Sequence, residues 1–251
     1  MLEIKNVSLE VGDEKGKVKI LNNINLSLDD KKLYVVTGPN GSGKSSLAKM
    51  IMGIYKPTSG EIIYNGQNIT EFDVSQRARI GIGYAFQHPP RFKGVKVKEL
   101  LELAVGNNRE VNICDLLLDV GLCYQDYFDR EVNTSLSGGE LKRIEIATIL
   151  ARDLKLAVFD EPEAGIDLWS FQKLVESFEN MHRNYDTTIV LISHQERIIN
   201  LADEVILMSG GEIQEITGKE KVLSEIVKRD LDCRCSKTCE KGVLENVECS
   251  R

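Results

Sequence analysis

The sequence carries no charged-then-apolar leader at its N-terminus and no run of about twenty apolar residues, so neither export nor a membrane span is expected, and a cytoplasmic location follows. It also lacks a long basic patch. Lys93, Lys96 and Lys98 form the densest cluster and read as a solvated face. At a formal net charge of -7 the surface repels polyanions, which argues against nucleic acid or anionic lipid as a partner. No internal repeat, low-complexity tract or heptad run occurs. Cysteine is present without the pattern of a secreted disulfide framework. Cys114 and Cys123 lie in apolar helical context and are expected to be small core residues. Cys233, Cys235, Cys239 and Cys249 crowd the C-terminus in a spacing that matches no zinc template. Three readings of that tail stay open: ligation of a soft metal or an iron-sulfur cluster, a redox or transfer role, and an unligated tail.

What is present is a globular chain of 251 residues, 42% hydrophobic, enough for a sizeable core. LEIKNVSLE and VKILNNINLSL alternate around the polar loop EVGDEKGK and predict an antiparallel β layer. LYVVT, Leu33 to Thr37, is a continuous apolar run that breaks into glycines and then into a helical pattern, Ser45 to Gly53. That is the mark of a buried parallel strand feeding a helix. EIIYNGQNI predicts a strand with an Asn-Gly turn, and IGYAFQ, Ile82 to Gln87, another strand. After Pro89 and Pro90 the pattern turns helical until about residue 155, an inserted α-helical subdomain placed at about 88–150. LAVFD, TTIVLIS and EVILMSGGEI then supply three strands, alternating with helices at Leu168 to Asn184 and Glu196 to Leu201. Alternation of this kind predicts a mainly parallel sheet, hence an α/β fold. Lys219 to Arg229 reads as a closing amphipathic helix; the expected division is one domain over 1–232 and a cysteine-rich tail over 233–251.

Gly38-Pro39-Asn40-Gly41-Ser42-Gly43-Lys44-Ser45, followed by Ser46, fits the phosphate-loop pattern G-x-x-x-x-G-K-[ST] between a buried strand and a helix. Its glycines let N–H groups face phosphate oxygens, and the helix N-terminus adds positive charge. Lys44 is expected to reach the β and γ phosphates of a nucleotide, and Ser45 to offer a hydroxyl to Mg²⁺. LAVFDEP ends a buried strand on two acids: Asp160 for the metal's hydration shell, Glu161 to polarise the attacking water. Gln87 closes one strand and can contact both Mg²⁺ and water; His194 closes another and can donate to the γ phosphate. In LSGGELKR, Ser137, Gly138 and Gly139 open a second helix, Glu140 to Ala151, and form an anion site without a lysine of its own.

The order GPNGSGKSS, AFQ, LSGGE, VFDEP, AGID, ISH resembles the ABC-type ATPases over nearly the whole chain. That resemblance implies the P-loop NTPase core with an N-terminal antiparallel β layer and inserted helical subdomain, and Mg-dependent hydrolysis of ATP. It places Gln87 in the Q-loop, Leu136 to Glu140 in the signature, Ala164 to Asp167 in the D-loop and His194 as the switch histidine. It implies an ATP-dependent homodimer packed head to tail, each signature closing over the ATP held by the other copy's phosphate loop. Where relatives carry an aromatic residue for adenine, Val11 and Gly12 stand here, and Tyr34 reads as buried strand, which implies weak contact to the base. AFQHPPRFKGV, SGGELKR, DEPEAGIDL and ISHQERII resemble the SufC-type ATPases of iron-sulfur cluster assembly, whose partner is a soluble scaffold of the SufB kind. In that reading Lys142 would hold Glu161 away from water in the resting monomer. The alternative partner is a membrane transporter subunit.

Overall fold

The structure, a computed structural model, describes residues 1–13, 16–106, 111–133, 135–152 and 154–224. β1 (Leu2–Asp13) and β2 (Gly16–Leu28) form a long antiparallel hairpin. The stretch EVGDEKGK, expected as loop, is mostly strand, because the β-branched pair Val11 and Val18 carries the ladder almost to the tip. β3 (Leu33–Thr37) follows and leads through the glycine-rich loop into α1 (Lys44–Ile51). β4 (Ser59–Tyr64) and β5 (Gln67–Asn68) pair antiparallel across Asn65 and Gly66, whose φ values of 49° and 79° make the primed turn that Asn-Gly favours. Together these build an antiparallel sheet in the order β2-β1-β4-β5.

α2 (Val74–Arg79) is not visible in the periodicity, which six residues are too few to show. Its one local mark is the capping box between Asp73 and Gln76. It carries Arg77, fully buried and without a carboxylate partner among its hydrogen bonds. The guanidinium donates to the carbonyls of Met50 (2.7 Å), Ile51 (2.8 Å), Ile69 (2.8 Å), Phe72 (3.2 Å) and Thr70 (3.2 Å), so it satisfies the last carbonyls of α1. Burial lowers its pKa to about 10. Arg77→Met keeps most of the apolar volume and strands those carbonyls; it should cost about 3 kcal/mol or more in urea unfolding. An unchanged midpoint and slope would contradict this role.

β6 (Ile82–Ala85) precedes the helices α3 (Val97–Val105), α4 (Ile113–Asp119), α5 (Tyr124–Tyr127) and α6 (Gly138–Leu150). Lys96 and Lys98 both pair with Asp129 there, at 3.2 and 3.4 Å. Cys114 and Cys123 are exposed free thiols, against the expectation that they are core. In α4 the inward stripe runs through Ile113, Leu116, Leu117 and Val120, and Cys114 is out of phase with it; Cys123 is the N-cap of α5.

β7 (Leu156–Asp160), α7 (Leu168–Asn184), β8 (Thr188–Ile192) and α8 (Glu196–Ile199) resume the strand-helix alternation. EVILMSGGEI, expected as one strand, folds as two, β9 (Glu204–Ser209) and β10 (Glu212–Thr217), because Gly210 and Gly211 both take positive φ and turn the chain back. Residues 219–224 are helical; the rest of the expected closing helix and the four C-terminal cysteines lie outside the described residues.

The main sheet has the order β10-β9-β3-β8-β7-β6, parallel except for the β9–β10 pair. All of β3 is buried, and its residues alternate between two cores: Tyr34 and Val36 face the antiparallel layer, Leu33 and Val35 face the helices. Each such side chain contributes roughly 1.5–3 kcal/mol of burial. Tyr34 is buried as expected, and its hydroxyl accepts the Asp29 N–H at 2.8 Å. This double packing fixes the carboxyl ends of β3, β6, β7 and β8 along one edge, where open parallel sheets bind ligands.

Candidate nucleotide site

The loop after β3 is shaped by its neighbours. A Cβ on Gly38 would lie 1.9 Å from the Met208 carbonyl oxygen, and one on Gly43 2.6 Å from Leu21, so the loop is pressed between β9 and β2. Lys44 bends back over it and donates to the carbonyls of Gly38 (2.8 Å) and Pro39 (2.9 Å). Burial pushes its ammonium pKa down. The Ser42 hydroxyl is buried without a partner. Buried polar groups are normally paired, so this one marks a cradle shaped for a ligand. Asn40, Gly41, Gly43, Lys44, Ser45 and Ser46 line the cleft above it with Glu161; Gly38, Pro39 and His194 line the adjoining one.

At the end of β7 the two acids take different surroundings. Asp160 continues the face of Leu156 and Val158 toward α1, where it accepts from Ser45 Oγ and from Tyr84 Oη, each at 2.8 Å. Strand alternation would send Glu161 to the opposite face. Its left-handed backbone, φ 45°, breaks that alternation at a strain of about 1–3 kcal/mol, and Glu161 lines the cleft with Lys44 and Ser45. The turn is held by Glu161 N–H on the Ile192 carbonyl (3.1 Å) and Ala164 N–H on the Glu161 carbonyl (3.0 Å). Gln87 lies two residues past β6, and its amide donates to Glu161 Oε2 at 2.6 Å. His194 Nδ1 is 3.4 Å from Thr37 Oγ1; desolvation, then the Lys44 ammonium, hold the imidazole below its ordinary pKa, which keeps it neutral at neutral pH.

Two residues near the acids are not marked by any sequence motif. Tyr84 fixes Asp160, and burial followed by that carboxylate raises its phenol pKa. Its only sequence signal is register: Tyr84 lies opposite Val158, two residues before Asp160 on the same face. Glu163 accepts from Ser193 Oγ at 2.5 Å, its other oxygen is buried and unpaired, and burial raises its pKa. Nothing in the local pattern singles it out.

Ser137, Gly138 and Gly139 line neither of the two clefts at the phosphate loop. Ser137 is the N-cap of α6, its hydroxyl accepting the Glu140 N–H (3.3 Å) while Glu140 Oε2 accepts the Ser137 N–H (2.7 Å). Glu140 is held in turn by Tyr127 and Arg130. Gly139 is packed, since a Cβ there would meet Ser170 at 2.5 Å, whereas Gly138 is exposed beside the Gly165 carbonyl. Asp167, at the end of the D-loop segment, caps α7 through the N–H groups of Trp169 and Ser170, both at 3.0 Å.

Lys142 does not reach Glu161, contrary to expectation. It is 2% exposed, donates to the Phe86 carbonyl and lies 3.5 Å from Glu145 Oε2; the helix phase points it under β6 rather than toward β7. Among the described residues no cluster of three or more His, Cys, Asp or Glu is arranged to hold a metal, and no helix is long and apolar enough to cross a membrane.

The family described as "ABC transporter" matches residues 21–164. An uncharacterized ABC transporter ATP-binding protein of Methanocaldococcus jannaschii is 38% identical over 237 residues, 91% of this chain and 94% of the relative. A probable ATP-dependent transporter of Pyropia yezoensis is 32% identical over 249 residues, 92% of this chain and 96% of the relative. Among solved structures, a dimeric ATP-binding cassette bound to ADP and Pi is similar with a TM-score of 0.78 at 23% identity, covering 87% of this chain and 99% of that one, a likeness of fold. The chain therefore belongs to the ABC transporter family, as an ATPase cassette built on the P-loop α/β fold.

Proposed function

We propose that the chain hydrolyses ATP in composite sites formed by two copies packed head to tail, and that closure of the pair works on a partner protein. The observation that carries this is a separation: Lys44, Ser45, Gln87, Asp160, Glu161 and His194 gather at one phosphate loop, while the lysine-free anion turn at Ser137 and Gly138 lies outside both of its clefts. In this reading the loop from Gly38 to Ser46 holds the triphosphate, with Lys44 released from its two carbonyls onto the β and γ phosphates. Ser45 and Asp160, whose oxygens already converge at 2.8 Å, are hard donors suited to Mg²⁺, with Gln87 at its edge. The ion would supply charge neutralisation on the phosphates. Glu161 accepts a proton from the attacking water, Gln87 aligns that water, and neutral His194 donates to the γ phosphate. The second copy's Ser137 and Gly138 bind the γ phosphate through a helix N-terminus, an attraction that ends once the bond is cleaved. ATP thus joins the copies and ADP releases them.

An apolar groove opens beside Gln87, lined by Phe86, Pro89, Pro90, Phe92, Leu100 and Arg152, and is the proposed seat of the partner. The local wording of the motifs supports a soluble SufB-like scaffold of iron-sulfur cluster assembly. A second reading, the nucleotide-binding subunit of a membrane transporter, is favoured by the transporter names of the relatives. Affinity capture with ATP, compared with a Phe92→Asp variant that spoils the groove, should return a soluble scaffold that the variant fails to hold; recovery of a polytopic membrane protein would decide for the second reading. In the assembly setting the thiols of Cys233, Cys235, Cys239 and Cys249 would ligate iron. Anaerobic reconstitution should then give visible absorption, and a colourless protein with intact thiols would remove that role.

A further inference from the structure

We propose that Lys142 and Glu145 are positioning residues that clamp the backbone of Phe86 and so set Gln87 against Glu161. Phe86 follows the last paired residue of β6, so the sheet no longer supplies its backbone partners. Two side chains of α6 supply both. Glu145 Oε1 accepts the Phe86 N–H at 3.0 Å, and Lys142 Nζ donates to the Phe86 carbonyl. The two side chains are 11% and 2% exposed and pair with each other at 3.5 Å. The next residue in the chain is Gln87, bonded to Glu161 at 2.6 Å. The Phe86 ring in turn stands edge-on to Tyr84, at 5.0 Å between centroids, and Tyr84 holds Asp160. One gripped residue therefore stands between α6 and both acids.

A pair of this kind is a poor choice for stability alone, because apolar residues of similar volume in place of a buried ion pair are often neutral or stabilising. What the ion pair adds is a fixed position for one peptide unit at a place where the sheet has ended. α6 is also the helix that Ser137 and Gly138 open, and Tyr84, Phe86 and Glu145 line the apolar groove. Movement of α6 or filling of the groove thus shifts Phe86, and with it the Gln87–Glu161 pair. The inference rests on the proposed roles of Gln87 and Glu161.

The test is Lys142→Met combined with Glu145→Leu, which removes both grips without leaving a buried charge. The kcat of ATP hydrolysis should fall about ten- to a hundredfold from misplacement of Gln87, with ATP affinity unchanged and a cooperative thermal transition retained. In a Gln87→Ala background the same substitutions should cause no further loss, since the residue they position is gone. A wild-type kcat, or a loss that adds in full to that of Gln87→Ala, would overturn the clamp. If the double variant does not fold, Lys142→Met combined with Glu145→Met, which likewise leaves no buried charge, is read by the same criteria. Glu161→Gln is the control: if it leaves kcat intact, the reading of the site has failed rather than the clamp.

Discussion

Glu161→Gln should lower ATP turnover by about 10² to 10⁴-fold while ATP binding is retained, because the substitution removes the base for water and leaves the phosphate contacts in place. The amide is nearly isosteric with the carboxylate, so the left-handed backbone at φ 45° and its anchors on Ile192 and Ala164 are undisturbed. With cleavage slowed, the ATP-joined pair should accumulate. Trp169 offers a direct report. It is the only tryptophan, 84% exposed, two residues beyond Asp167 of the D-loop. Saturating Mg-ATP should change its fluorescence and double the sedimenting mass of the variant; a variant that turns over at the wild-type rate would remove Glu161 from the role of base.

Gly138→Asp should have a comparable effect by a different route. Gly138 is the first residue of α6 and is exposed, and a Cβ there meets only the Gly165 carbonyl, at 3.1 Å, so the residue can be accommodated with a small shift. A carboxylate at a helix N-terminus stabilises the helix by about 0.3–1 kcal/mol, so the fold should not suffer. The same charge stands where the neighbouring copy's γ phosphate would bind, and kcat should drop by about 10²-fold or more. ATP affinity of the isolated chain should be unchanged, since its own phosphate loop is intact. A variant that loses ATP affinity as a monomer would show that the turn belongs to its own chain's site.

Much of this arrangement is legible in sequence because its signals are local. The strand-loop-helix at Leu33 to Ile51, the acids ending β7 and the capped turn at Ser137 each depend on residues adjacent in sequence. Partners set by packing are not legible. Arg77 reaches carbonyls up to 27 residues away, and Lys142 meets Phe86 only because α6 packs beneath β6. The motif wording points Lys142 at Glu161; the amide of Gln87 occupies that carboxylate instead. Glu161, one residue past β7, is placed at the site by its motif, but its positive φ is not something sequence announces for a glutamate. Cys114 is misplaced for a related reason, as seven residues of α4 give too few turns to fix the helix phase.

The most direct measurement is the rate of ATP hydrolysis per chain as a function of chain concentration, with sedimentation recorded on the same samples. Two copies completing each other's sites require the rate per chain to fall as dilution separates the pairs, and to reach a plateau only where dimers dominate. A full rate per chain in samples that sediment wholly as monomers, undiminished by Gly138→Asp, would contradict the composite site.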